Sequence, residues 1–158
     1  MELMPCDIVL VKGYGRGIIS DVICDIENSQ YSHSAILING NIIIEAGMFN
    51  VRYNLLDNYK GYFDIYRCLD INNLQRKSII DYLILQLGKQ YDYKLLIWEY
   101  IRLKLNIILP YFNSSSVICS ELVRDSFLNS TNIDLTPVIR FPTPKDLSES
   151  KILTQIGG

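Results

Sequence analysis

The sequence holds one histidine and four cysteines, and no two of those cysteines form a C-x-x-C pair. Cys6, Cys24, Cys68 and Cys119 are spaced widely and irregularly. No zinc-type ligand spacing results, so neither a metal nor a cofactor is expected. Lysine and arginine form no cluster or stripe, and the net charge is -2. Nucleic acid is therefore not an expected partner. Long apolar runs are also lacking. The longest, Leu95 to Leu109, is interrupted by Glu99, Arg102 and Lys104 and is too short to span a bilayer. The opening Met1-Glu2-Leu3-Met4-Pro5-Cys6-Asp7 is acidic and has no apolar run behind it, unlike a secretory signal. A cytoplasmic location with free thiols is the expectation that follows. No linker, repeat or low-complexity stretch divides the chain, so residues 1–158 are read as one domain. At 49% hydrophobic and 20% charged residues, that domain can bury a substantial core. No pattern in it sets an oligomeric state.

Periodicity then supplies the elements. Ile8-Val9-Leu10-Val11 reads as a buried strand. After the loop Gly13-Tyr14-Gly15-Arg16-Gly17, apolar residues recur at helical spacing, which predicts a helix over 17–27. Ser32 to Ile38 and Ile42 to Ala46 read as strands joined by the turn signal Asn39-Gly40-Asn41. Val51 to Leu55 and Tyr62 to Leu69 are further strands. Asn72 to Leu87 is a helix ended by Gly88. Helices are also expected over 93–105, stopped before Pro110, and from Cys119 to Leu128, capped near Ser116. Thr143-Pro144 reads as a cap followed by proline in a first helical turn. The order is strand, helix, four strands, then mostly helix, which favours an α+β fold.

Chemistry concentrates in Val117-Ile118-Cys119-Ser120-Glu121-Leu122-Val123. A thiol that opens a helix sits among unpaired backbone N–H groups at the positive end of the dipole, and both favour the thiolate. Burial as a small apolar residue is the plainer alternative. The sole histidine, His33, lies in Tyr31-Ser32-His33-Ser34. Thiolate and imidazole together are the minimum set for nucleophilic cysteine catalysis. Glu45 closes the apolar strand Ile42-Ile43-Ile44-Glu45 and is the candidate to orient His33. Hairpin parity tests this pairing. A two-residue turn sets Ser34 opposite Glu45 and sends Glu45 to the other face from His33. A three-residue loop sets Ala35 opposite Glu45 and puts both on one face. The three-residue loop is the expectation.

These segments, with Asp7-Ile8-Val9-Leu10, Gly88-Lys89-Gln90-Tyr91-Asp92-Tyr93 and Pro144-Lys145-Asp146-Leu147, occur in an order that resembles the circularly permuted, YiiX-like branch of the NlpC-type papain-like cysteine hydrolases. The resemblance runs from Asp7 to about Leu147. It implies a small antiparallel sheet packed against helices, with Cys119 as nucleophile, His33 as general base and Glu45 as the orienting residue. The implied reaction is acyl transfer on a peptide, amide or lipid-acyl substrate through a thioester. Backbone N–H groups at the helix start would hold the oxyanion. Ser120, Tyr31, Tyr91 and Tyr93 are further candidates at the substrate or the oxyanion.

Two other functions stay open at this stage. One is a lipid acyltransferase or thioesterase, for which the apolar segment Leu95 to Leu105 would line a groove. The other is a catalytically silent module that binds a peptide or partner. Gly13-Tyr14-Gly15-Arg16-Gly17 lacks the spacing and the Gly-Lys ending of a phosphate loop. It reads instead as a loop bordering a cleft.

Overall fold

The computed structural model describes residues 2–47, 49–90, 119–139 and 141–158. The helix expected over 93–105, its stop at Pro110, the cap near Ser116 and both Tyr91 and Tyr93 lie outside the described residues. Within them the fold is α+β. Six strands form one antiparallel sheet: β1 (Ile8–Lys12), β2 (Tyr31–Asn39), β3 (Ile42–Ala46), β4 (Val51–Leu55), β5 (Phe63–Cys68) and β6 (Leu153–Gly157). Their spatial order is β4-β3-β2-β1-β5-β6. The helices are α1 (Ile18–Glu27), α2 (Asn73–Gln86), α3 (Cys119–Thr131) and α4 (Pro144–Ser148).

The central strand β1 and the second half of β2 are apolar on both sides because both sheet faces are covered. On one face Ile8, Leu10, Ile36 and Ile44 join Ile79 and Leu83 of α2 and Leu122, Val123 and Phe127 of α3 in a single core. On the other, Val9, Val11, Ala35, Leu37, Ile43 and Ile65 pack with Leu56. Leu56 belongs to a short 3-10 turn, Leu56–Tyr59, that follows β4. Local signals set the helix starts. Asn72 accepts from the Gln75 N–H while Gln75 returns a bond to the Asn72 N–H, each at 2.9 Å. Thr143 caps α4, with Pro144 in its first turn.

The hairpin departs from expectation in an instructive way. Asn39 pairs with Ile42, so the turn is the two residues Gly40 and Asn41, not three. The register then slips between Leu37 and Asn39, and Ala35 pairs with Glu45. A bulge at Ile38 supplies the extra residue that the loop was expected to supply, and it restores the same parity. Gly40 takes a left-handed φ of 52°, which its missing Cβ allows. A second correction concerns the C-terminal region, where β6 pairs with β5. The chain therefore does not finish in helix. Leu153-Thr154-Gln155-Ile156 is too short and too little buried to announce a strand by pattern alone.

Helix α3 meets β2 through small residues. Ser34 and Ser120 are both fully buried, and their hydroxyl oxygens are 3.4 Å apart. Larger side chains at this crossing would lift the start of α3 off the strand. Ser120→Leu is expected to cost about 1–3 kcal/mol by overpacking, and Ser120→Ala about 1 kcal/mol for the lost hydroxyl bond. Urea unfolding midpoints check this. Equal stability of the leucine variant and the wild type would contradict the close approach.

Candidate active site

His33 sits near the start of β2, where no β3 residue pairs with it. Its Nε2 is 3.1 Å from Glu45 Oε2. Cys119 acts on the same imidazole. Cys119 opens α3 and is 3% exposed. The fold thus brings together the three residues singled out in the sequence. Exposure differs along the chain of contacts: the His33 side chain is 21% exposed and that of Glu45 1%. The imidazole is the part that faces solvent.

A buried carboxylate demands partners, and Glu45 has five donors. His33 and the Tyr59 hydroxyl are on Oε2. On Oε1, Arg52 donates from Nε at 3.0 Å and from the terminal nitrogen at 2.9 Å, and Asn54 Nδ2 donates at 3.0 Å. Arg52 is the register partner of Glu45 on β4. Gly47 gives it room: a Cβ there would meet Arg52 Nε at 2.7 Å. Moving the guanidinium aside would strip Glu45 of its ion pair. Arg52, Asn54 and Tyr59 were not found by sequence reasoning. The alternation of Arg52 and Asn54 along β4, opposite an acidic residue, was the available signal.

The charges follow from these contacts. Burial alone would raise the Glu45 carboxyl, but His33, Tyr59 and Arg52 hold it at about 2. Burial would likewise raise the Cys119 thiol. The hydrogen bond and charge of His33, with backbone and side-chain bonds from Ser34, bring it down to about 7 instead. Burial pulls the His33 imidazole down, and Cys119 and Glu45 outweigh it, raising it to about 10. The favoured state near neutral pH is a thiolate beside an imidazolium. Such a pair is poised for nucleophilic attack and for proton return to a leaving group.

Other candidates fall in different places. Ser120 Oγ is 3.8 Å from the Cys119 sulfur and 3.4 Å from Ser34 Oγ. The Tyr31 hydroxyl donates to Asp64 Oδ2 at 2.6 Å and is 3.2 Å from the Tyr66 hydroxyl. Its proton is spent in that cluster, so the oxyanion role expected for Tyr31 lacks support from the geometry. The four cysteines are unpaired and buried. Glu27, at the end of α1, is a further residue that the sequence did not mark. Burial and the charge of Cys119 push its carboxyl up to about 8, against the lowering influence of the nearby Lys145 backbone and Thr143. Its Oε2 is buried without a hydrogen-bond partner, as suits a carboxyl that keeps its proton beside a thiolate.

No family model matches this chain, and no curated relative matches it. A solved structure does. The crystal structure of the metalloprotein YiiX from Escherichia coli O157:H7, DUF1105, aligns with a TM-score of 0.74 and 17% identity. The alignment covers 98% of this chain and 96% of that one. The chain is similar to YiiX in fold along nearly its whole length. At this identity the likeness speaks for architecture, including the late helix behind the early hairpin. Among the described residues no helix is long and apolar enough to cross a membrane.

The Glu45 contacts make stability depend on pH with a definite sign. Glu45 titrates at about 2 when folded and near 4.3 when unfolded. Its contribution is therefore complete above the unfolded value and is lost as pH falls toward the folded one. Between pH 5 and pH 2 the wild type is expected to lose on the order of 3 kcal/mol more unfolding free energy than Glu45→Gln. Urea unfolding at each pH measures the difference. Equal losses would show that Glu45 is not held by these donors.

Proposed function

We propose that this protein is a cysteine hydrolase of the amidase or peptidase kind, with Cys119 as nucleophile, His33 as general acid and base, and Glu45 as the group that orients His33. The observation that carries the reading is the contact of Glu45 with His33 Nε2 at 3.1 Å, together with a Cys119 thiol near enough to the same imidazole for each to shift the other's charge. A histidine kept only for structure would need neither a buried carboxylate nor a thiol beside it. The likeness in fold to YiiX supports the permuted papain-like arrangement, in which the histidine strand precedes the cysteine helix.

The steps follow from the protein groups. The Cys119 thiolate attacks the acyl carbon of an amide or a related acyl bond. Negative charge collects on the carbonyl oxygen, and the backbone N–H groups at the start of α3 are the donors assigned to it in this reading. The tetrahedral adduct collapses when His33 gives its proton to the leaving amine, and a thioester remains on Cys119. Neutral His33 then takes a proton from water, which attacks the thioester and releases the acid. Glu45 keeps His33 in the tautomer and orientation that both transfers need.

The metal of YiiX finds no counterpart in these residues. Among the described residues no group of three or more histidine, cysteine or acidic side chains is arranged to hold a metal ion. Both Glu45 oxygens are already taken by hydrogen-bond donors, one of them the cation Arg52. The described residues do not fit a metal centre at this site.

Incubation with p-nitrophenyl acetate tests the proposal. One acetyl group is expected on Cys119, located by mass spectrometry, and then lost by hydrolysis. His33→Ala is expected to slow acetylation by about 100-fold or more, and Cys119→Ser to abolish it. Labelling unaffected by His33→Ala would leave the silent binding module as the better reading.

A further inference from the structure

The loop Gly13–Gly17 carries a guanidinium toward this site. Arg16 Cζ lies 5.2 Å from the centroid of the Tyr59 ring and 5.7 Å from that of Tyr62. Arg16 Nη1 donates to the Tyr59 carbonyl at 3.0 Å. Two aromatic faces and one hydrogen bond therefore orient an exposed arginine that would otherwise sample many rotamers. Tyr59 is also the residue whose hydroxyl donates to Glu45, and its ring centroid is 6.1 Å from that of His33. Arg16 is in this way one side chain removed from the solvent-facing imidazole.

The other arginines among the described residues are satisfied. Arg52 pairs with Glu45, Arg67 with Asp7 and Arg124 with Asp134. Arg76 donates to the Pro5 carbonyl. Among the described residues no carboxylate lies in ion-pair range of Arg16. The acids nearest in sequence are engaged by its own loop: Asp21 accepts from the Gly15 N–H and Asp25 from the Tyr14 hydroxyl. The guanidinium keeps unused N–H groups in a planar fork. That fork matches a carboxylate, which can accept two parallel bonds.

We propose that Arg16 is a specificity-determining residue that anchors a carboxylate of the substrate on the Tyr59 side of His33. The inference rests on the hydrolase reading and adds a substrate class to it: acyl compounds bearing a free carboxylate. The two ring spacings place the guanidinium carbon no more than about 11 Å from the imidazole, the reach of roughly three extended residues. The carboxylate therefore belongs within about that length of the scissile acyl carbon.

The test uses two thiol reagents of matched size, 6-maleimidohexanoate and its neutral N-methylamide, on the full chain. The second-order rate of Cys119 modification is followed by mass spectrometry. The acid is expected to react on the order of tenfold faster than the amide at low salt, as a charge-assisted contact provides. The ratio should shrink as salt is added. It should fall to about 1 in Arg16→Gln and take an intermediate value in Arg16→Lys, which keeps the charge and loses the fork. A ratio near 1 in the wild type, or a ratio that survives Arg16→Gln, would overturn the anchoring role alone. A phosphate-tipped analogue that outpaces the acid in an Arg16-dependent way would overturn the carboxylate assignment in favour of a phosphate. Failure of Cys119 to react with any of the reagents, with no effect of His33→Ala, would remove the nucleophile itself and the anchoring proposal with it.

Discussion

Glu45 is a carboxylate with 1% of its side chain exposed, in a strand whose other residues are apolar. Such a group stands only if donors surround it. The fold supplies them from three elements: His33 from β2, Arg52 and Asn54 from β4, and Tyr59 from the 3-10 turn. Each of these elements is constrained in turn. The β2–β3 register must put Ala35 opposite Glu45, and the β3–β4 register must put Arg52 there. The turn Leu56–Tyr59 must fold back over the sheet. The site and the edge of the sheet are therefore one problem with one solution. A slip of one residue at either hairpin would bury an unpaired charge.

Cys119 meets its environment from the opposite core. It belongs to the cluster that α2 and α3 form on the sheet, while Tyr59 packs against the smaller cluster on the other face. His33 joins the two where β3 has ended. Burial affects the four thiols alike, and their partners set them apart. Cys6 is pushed up to about 12 by burial, with Arg76 too weak a counterweight, and burial also raises Cys24 and Cys68. Only at Cys119 does an imidazole reverse the direction. Position at the start of a helix helps, but the neighbour decides.

Much of this was legible in the sequence. The strands from Ile8 to Cys68 and the helices starting at Asn73 and Cys119 follow from apolar periodicity and end signals. Cys119, His33 and Glu45 stand out by scarcity: one histidine, and one acid closing an apolar strand. The exact turn was not legible. Parity requires one extra residue between His33 and Glu45, and sequence cannot say whether a loop or a bulge provides it; Ile38 does, in a bulge. Strand β6 escaped because pairing with β5, not its own pattern, makes it a strand. Arg52, Asn54 and Tyr59 escaped because each looks like an ordinary surface residue until its register is known. Glu27 escaped because its meaning comes from α4 and Cys119, both distant in the chain.

The central claim is that the imidazole of His33 stabilises the Cys119 thiolate. The ultraviolet absorbance of the thiolate, taken as the difference between the wild type and Cys119→Ser across a pH series, measures this directly. The other three thiols are held above the neutral range, so one group dominates the signal. The account predicts a midpoint at about 7 that moves to about 8.5 or higher in His33→Ala. A wild-type midpoint already in that upper range, unmoved by removal of the imidazole, would contradict it.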